Sequence, residues 1–285
     1  MAGTFADDVV VRPAGPGRYR TELGHDWDLV PLPQGGIVVA LGLRAAVVEL
    51  AEPDQCLRTC TAVFAGQVTA GTLEIEVGVL RRGRSASQVE VAVRNAGSTA
   101  GITIVAVFGA ARPGPSFVDV APPSVPAPEA CPSWRDPPPP EAVEVGWEPR
   151  PTPFWQRLEG RSALGHPPWE RFTPATSDVA TWLRFDEPPV LADGSLDPLG
   201  VVVLADRMPG AVSERLGHAG DPFFAPSADL TVHLFEPLRT PWVLAHDRAR
   251  WADGGWASGE TTLWAEDGTL VAYATQMMLF TYLAP

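Results

Sequence analysis

An apolar run opens at Gly35-Gly36 and continues through Ile37-Val38-Val39-Ala40-Leu41-Gly42-Leu43-Arg44-Ala45-Ala46-Val47-Val48-Glu49-Leu50. It is too long for a strand and carries charge only at Arg44 and Glu49, so it predicts one helix, apolar on nearly every face and surrounded by other structure. The period then changes to two. Leu73, Ile75, Val77 and Val79, followed by Val89, Val91 and Val93, alternate with polar or small residues. Strands are expected over 57–64, 71–81, 86–95 and 102–110, with hairpin turns at Arg82-Gly83-Arg84 and Asn95-Ala96-Gly97.

The same order returns later: a strand over 180–185, an apolar helix from 198 to about 216, and strands over 228–234, 242–251, 255–264 and 270–280. Asp267-Gly268 repeats the hairpin signal of Asn95-Ala96-Gly97 about 170 residues on, and an internal duplication accounts for the match. A long helix wrapped by one antiparallel sheet is an α+β arrangement, and two copies side by side can each cover a sheet edge. Proline marks the boundary, with 14 of the 41 residues from Pro113 to Pro153. Pro137-Pro138-Pro139-Pro140 can enter neither a ladder nor a helix interior, so a semi-rigid linker is expected. The organisation predicted is an N-terminal domain over 1–115, a linker over 116–160 and a C-terminal domain over 161–285.

Composition narrows the function. A net charge of −13 opposes broad contact with phosphate backbones or anionic lipid, so neither nucleic acid nor membrane is an expected partner. All 21 basic residues are arginine, which excludes lysine Schiff bases, pyridoxal phosphate and a Walker-type phosphate loop. Cys56, Cys60 and Cys131 form neither a disulfide framework nor a paired zinc spacing and suit a reducing compartment. His25, His166, His218 and His246 are scattered, and no clustered Cys/His spacing argues for metal. Asp7 and Asp8 near the start do not suit a signal peptide, and no apolar stretch reaches 18 residues. A soluble cytoplasmic protein without a bound cofactor is expected.

Four motifs occur in order along the chain. Pro33-Gln34-Gly35-Gly36 precedes the apolar helix, Leu80-Arg81-Arg82-Gly83-Arg84-Ser85 forms a hairpin, and Ser227-Ala228-Asp229 opens a strand. The stretch Asp267-Gly268-Thr269-Leu270-Val271-Ala272-Tyr273-Ala274-Thr275-Gln276 makes the last hairpin and strand. Together they resemble the acyl-CoA thioesterase II group and its bacterial thioesterase-like relatives, over roughly 12–282. The resemblance implies two fused hotdog domains, each a long central helix wrapped by an antiparallel sheet. It also implies hydrolysis of acyl-CoA or a related acyl thioester to free acid and coenzyme A. In the family a carboxylate and a glutamine amide hold and polarise the attacking water, and backbone amides stabilise the oxyanion. Carried onto this chain, Asp229 would be the base and Gln276 would orient the water. The helix-start amide of Gly36 would serve the oxyanion. The family's serine or threonine, on the strand after the aspartate, has no counterpart in Asp247-Arg248-Ala249-Arg250-Trp251 and is expected to be missing or relocated. Met277-Met278 follow Gln276 where close relatives carry glutamate and glycine.

Without the resemblance, Asp229 reads as a solvated strand-start residue. Aligning the halves through Phe64 and Leu234 sets Thr59 opposite Asp229, and aligning Phe108 with Thr275 sets Gly109 opposite Gln276. One functional site per chain is therefore expected, in the second half. Arg81, Arg82 and Arg84 could hold coenzyme A phosphates or form a solvated hairpin tip. Asp229 and His233 share a strand face, which leaves a hotdog dehydratase as an alternative. A non-catalytic acyl-thioester-binding hotdog protein is another. The tryptophans, Trp147 among them, read as core or linker packing. Sheet edges and faces left by the hotdog layout lead to the expectation of a homo-oligomer.

Overall fold

The apolar run after Gln34 is helical throughout in the computed structural model, which describes residues 4–29, 31–144, 152–217 and 223–282. Trp147 and His218 lie outside the described residues. The first half comprises α1 (Phe5–Asp8), β1 (Arg12–Gly15), β2 (Arg18–Leu23), α2 (Gly35–Leu50), β3 (Cys56–Phe64), β4 (Gly71–Arg82), β5 (Ala86–Asn95) and β6 (Ile102–Gly109). After α3 (Pro140–Glu144) come β7 (Leu158–Leu164), β8 (Asp178–Phe185), α4 (Pro198–Ala205) and α5 (Pro209–Leu216). The chain then runs through β9 (Phe223–Phe224), β10 (Asp229–Leu234), β11 (Val243–Asp253), β12 (Trp256–Ala265), β13 (Leu270–Leu279) and β14 (Thr281–Tyr282). Every expected strand is present, with ends within two residues of those read from the alternation.

Twelve strands form one antiparallel sheet in the order β1-β2-β4-β5-β6-β3-β10-β13-β12-β11-β8-β7, and β9 pairs with β14 separately. The halves join edge to edge at β3 and β10. There Thr61 faces Thr231, their hydroxyls 3.0 Å apart, and 231 − 61 gives the 170-residue offset of the duplication. The core helices α2 and α4 lie side by side in opposite directions. Gly36, near the start of α2, meets Asp206 just past the end of α4, and Arg44 pairs with Asp197, the N-cap of α4. Each half is thus a helix wrapped by an antiparallel sheet, and the whole is an α+β double hotdog.

The second helix departs from expectation. It is two helices, because Pro209 has no N–H to donate and its ring would clash with the carbonyl four residues earlier, that of Ala205. α4 stops at Ala205, Asp206 takes a non-helical φ of −90° and ψ of 69°, and α5 restarts with Pro209 in its first turn. The proline-rich stretch lies across the outer face of the second half's sheet. Pro126 accepts from Trp182 Nε1 at 2.9 Å, Pro128 accepts from Arg161 at 3.0 Å, and Cys131 packs with Trp182, Trp242, Leu244 and Trp264. β7, beginning at Leu158, falls partly within the segment read as linker. Among the described residues no helix is long and apolar enough to cross a membrane.

Candidate functional site

The meeting of α2 with the break after α4 assembles a buried polar cluster. Gln34 caps both helices: its Oε1 accepts from Ile37 N at 2.9 Å, while its Nε2 donates to the carbonyls of Val203 at 3.0 Å and Asp206 at 2.8 Å. The glycine pair permits this approach. A Cβ on Gly36 would lie 2.9 Å from Val203 Cα, and one on Gly35 would lie 2.7 Å from Asp206 Oδ2. With both side chains absent, the Asp206 carboxylate sits at the positive end of α2, where Gly36 N donates to Oδ2 at 2.7 Å.

Two side chains from the second half complete the cluster. Gln276, on β13, donates from Nε2 to Asp206 Oδ1 at 2.8 Å and also meets Ser227 Oγ. Ser227, just before β10, donates to the same Oδ1 at 3.3 Å. Gln276 Oε1 is buried and has no partner among the described residues. Burial raises the pKa of Asp206 above its ordinary 3.8, outweighing the bonds from Gly36, Ser227 and Gln276 that pull it down. Beside it, Arg207 turns the other way to pair with the fully buried Asp247 at 2.6 Å.

Asp206, Ser227 and Gln276 line a cavity of about 1000 Å³ between the halves. Its walls are largely apolar and aromatic, with Val38 and Phe64 from the first half and Trp134, Phe154 and Trp155 from the connecting segment. The size and lining suit an acyl chain.

The structure places the residues expected from sequence differently from one another. Gln276 is in the cluster. Gly36 is there too, but its amide is occupied by Asp206 and does not point at an open oxyanion position. Asp229 is not brought to the Gln276 side chain. On β10, Leu230 and Val232 are buried while 229, 231 and 233 share the outer face, and the Asp229 carboxylate accepts from the backbone N of Met277 at 2.6 Å. Gln276 faces inward from the neighbouring strand, with Ala274 and Met278. His233 is exposed on that outer face beside Tyr273. Neither Asp229 nor His233 lines the large cavity.

Arg82 donates to the carbonyls of Leu50, at 2.5 Å, and Glu49, at 3.2 Å, and so caps the far end of α2. Sixteen helical residues put that end about 24 Å from the end at Asp206. Arg81 and Arg84 are exposed on the same hairpin. Among the described residues no group of three or more potential ligands could hold a metal ion.

Sequence reasoning passed over Asp206 and Ser227. The signal for Asp206 was Pro209, which stops an apolar helix at a charged residue. Ser227 belongs to the motif Ser227-Ala228-Asp229, of which it is Ser227 that meets the buried cluster while Asp229 does not. The pairing also corrects one internal alignment. Thr61 opposes Val105 on β6 as Thr231 opposes Thr275 on β13, so the residue corresponding to Gln276 is Ala106, not Gly109.

Comparison with known proteins is consistent along the whole chain. The family model described as acyl-CoA thioesterase N-terminal domain matches residues 23–109, and that of the acyl-CoA thioesterase C-terminal domain matches 128–280. A protein of unknown function with the hot dog fold from Alicyclobacillus acidocaldarius is 21% identical, with 100% of each chain covered and a TM-score of 0.77. An acyl-CoA thioesterase II from Mycobacterium marinum is 18% identical, with 98% of this chain and 99% of the other covered and a TM-score of 0.76. The tesB protein of Mycobacterium avium subspecies paratuberculosis is 18% identical over 97% of this chain and 98% of its own, with a TM-score of 0.74. At these identities the structural likeness establishes the fold alone. No match is found among curated proteins.

Proposed function

This chain belongs to the acyl-CoA thioesterase family, and on that premise we propose that it hydrolyses an acyl-CoA at the cluster of Asp206, Ser227 and Gln276. The observation that carries the reading is the convergence of a buried carboxylate, a hydroxyl and an amide on the wall of one apolar cavity. Asp206 takes the role expected of Asp229, and Ser227 supplies the hydroxyl expected to be missing.

In the proposed step a water enters where the long Ser227–Asp206 contact yields. It donates one hydrogen to Asp206 Oδ1 and the other to the unpartnered Gln276 Oε1, accepts a hydrogen bond from Ser227 Oγ, and attacks the thioester carbon through its remaining lone pair. Asp206 takes the proton as the carbon–oxygen bond forms. It returns the proton to the sulfur as the carbon–sulfur bond breaks, releasing acid and coenzyme A. A thioester is already activated, so a positioned base worth about 10²–10⁴-fold is a sufficient device without a covalent intermediate. A carboxylate with a raised pKa is the stronger base once ionised. Gly36 anchors the base, and the dipole of α2 favours negative charge beside it.

The test is thiol release from short, medium and long acyl-CoAs. Ser227→Ala should retain measurable turnover, because the hydroxyl only holds the water. Complete loss with burst kinetics in the parent would instead make Ser227 a nucleophile. Binding of acyl-CoA with no thiol release across the panel would leave a binding protein. We also propose a homo-oligomer that shields the sheet edges at β1 and β7. A solution mass equal to the 30.4 kDa chain would count against it.

A further inference from the structure

The cavity wall also holds a polar pair that the hydrolytic cluster does not use. Glu214, on α5, has a side chain only 6% exposed, and its Oε1 lies 2.5 Å from His166 Nδ1 on the loop after β7. Its Oε2 accepts the His166 backbone N–H at 3.4 Å. Gly165, at φ +88°, turns the chain so closely onto Glu214 that a Cβ there would sit 3.2 Å from Oε2. The imidazole lies flat on Phe172, ring centroids 3.7 Å apart and planes within 2°. His166, Glu214 and Phe172 all line the cavity that Asp206 and Gln276 line.

A carboxylate buried in an apolar wall is costly unless paired. The pair fastens the loop after β7 to α5 and at the same time turns both side chains to the cavity, which places the imidazole where a ligand can meet it. With Nδ1 engaged by Glu214 and one ring face covered by Phe172, Nε2 is the remaining polar atom of His166. It has no hydrogen-bond partner among the described residues.

We propose that His166, held by Glu214, reads a hydroxyl on the acyl group, so that the substrates are hydroxylated acyl thioesters. The inference rests on the acyl-thioester reading of the cavity. A hydroxyl suits the site because it can donate to a neutral Nε2 or accept from a protonated one. Position along the chain follows from the fold. Glu214 is the sixth residue of α5, which begins three residues past Asp206. The five helical steps from Pro209 to Glu214 advance about 7.5 Å, and the turn from Asp206 to Pro209 adds to that, which puts the pair on the order of 10 Å from Asp206. An extended chain advances about 1.3 Å for each carbon–carbon bond of about 1.5 Å, so the hydroxyl falls about eight carbons from the thioester carbonyl. A site built to bond a hydroxyl rejects the analogue lacking it, because its own polar atoms are then left unpaired.

Calorimetry with non-hydrolysable thioether analogues of acyl-CoA tests this without depending on turnover. Chains of six, eight and ten carbons, each with and without a terminal hydroxyl, are compared on the full-length protein. At least a 10-fold tighter binding of the hydroxylated member is expected at one length, and His166→Phe, which keeps a ring against Phe172, should erase it. Glu214→Gln, which still accepts from Nδ1, should retain most of it. Equal binding of hydroxylated and plain chains at every length overturns the proposal, as does a preference that survives His166→Phe. A hydroxyl preference in binding combined with no thiol release from the matching thioesters would sustain it while removing the hydrolytic reading.

Discussion

The two halves share a fold and differ at three places where the second half is polar. Nine residues past the helix N-caps, Gln34 and Asp197, stand Leu43 and Asp206 (34 + 9 and 197 + 9). Subtracting the 170-residue offset sets Leu57 opposite Ser227 and Ala106 opposite Gln276. Leu43, Leu57 and Ala106 are all buried core residues of the first half. Its helix runs unbroken for 16 residues, whereas its counterpart stops after 8 to release Asp206 from the helical ladder. A buried carboxylate costs stability unless donors surround it. The first half supplies two of those donors, the Gly36 backbone amide at 2.7 Å and Gln34 Nε2 at 3.2 Å, along with the positive end of α2. In the proposed reading the duplicated halves divide the work, one presenting the reactive groups and the other the field and fit that hold them.

The comparison breaks most decisively at Asp206. Asp206→Asn removes the base while keeping its shape, so turnover on acyl-CoA should fall about 10²-fold or more with ligand affinity nearly unchanged. The pH dependence sharpens this. A base works only when deprotonated, so kcat/KM should decline as pH falls through the raised pKa of Asp206, on an acid limb lying above the ordinary 3.8. A limb at or below 3.8 in the parent protein would place the base elsewhere.

Much of this division was legible in the sequence, and the failures have physical causes. Alternation over β4 and β5 and the all-apolar α2 fixed the elements, because period and burial leave few alternatives. The expectation of one polar site in the second half rested on Gln276 and is kept in the proposed reading. The structure sets the expected base, Asp229, on the outer face of β10 and away from the Gln276 side chain, through a local bend that motif spacing does not record. Ser227 and Asp229 are two residues apart and would share a face on a regular strand, but the chain bends at Ala228 before β10 begins, so Ser227 reaches the cluster while Asp229 stays on the outer face. Asp206 was read as part of a continuous helix, and only the consequence of Pro209 for the preceding turn would have freed it. The role of Gln34 depends on two helix ends 169 residues apart in sequence meeting at one amide, which no local pattern records.

A milder break lies on the helper side of the comparison. In Gly35→Ala the new methyl would sit 2.7 Å from Asp206 Oδ2 and 2.8 Å from the Phe64 ring, so the carboxylate must shift. Misplacement of that order should lower kcat by about 10-fold to 10²-fold. The same change on the first half's own hairpin, Gly78→Ala, meets nothing closer than 3.8 Å and should leave kcat unaltered. Equal losses in the two variants, measured as thiol release, would show that the first half acts only through general stability.

Smaller still is the effect expected at Arg82, because the work of that side chain lies at the end of α2 remote from the site. Its bonds to the carbonyls of Leu50 and Glu49 cap the helix, so Arg82→Ala should cost about 1 kcal/mol or less of stability in denaturant titration. The Michaelis constant for acyl-CoA should stay the same. A raised constant that persists with added stabiliser, and whose difference from the parent fades as salt is added, would return the hairpin to coenzyme A binding.

The smallest effect should come from Asp229→Asn, and it separates the two readings of the second half most cleanly. The carboxylate there serves one partner, the backbone N–H of Met277, which an asparagine Oδ1 can accept equally well. It faces away from the large cavity, on the strand face that carries His233, so removing its charge alters neither the water position at Gln276 nor the base. Turnover should therefore change by less than about 2-fold, within the range of substitutions that leave hydrogen bonding intact. His233→Ala should be equally quiet, since its ring is exposed on that outer face beside Tyr273. If Asp229→Asn instead cost as much as Asp206→Asn, the outer face of β10 would hold the chemistry, and the inward cluster would be a structural knot between α2 and α4.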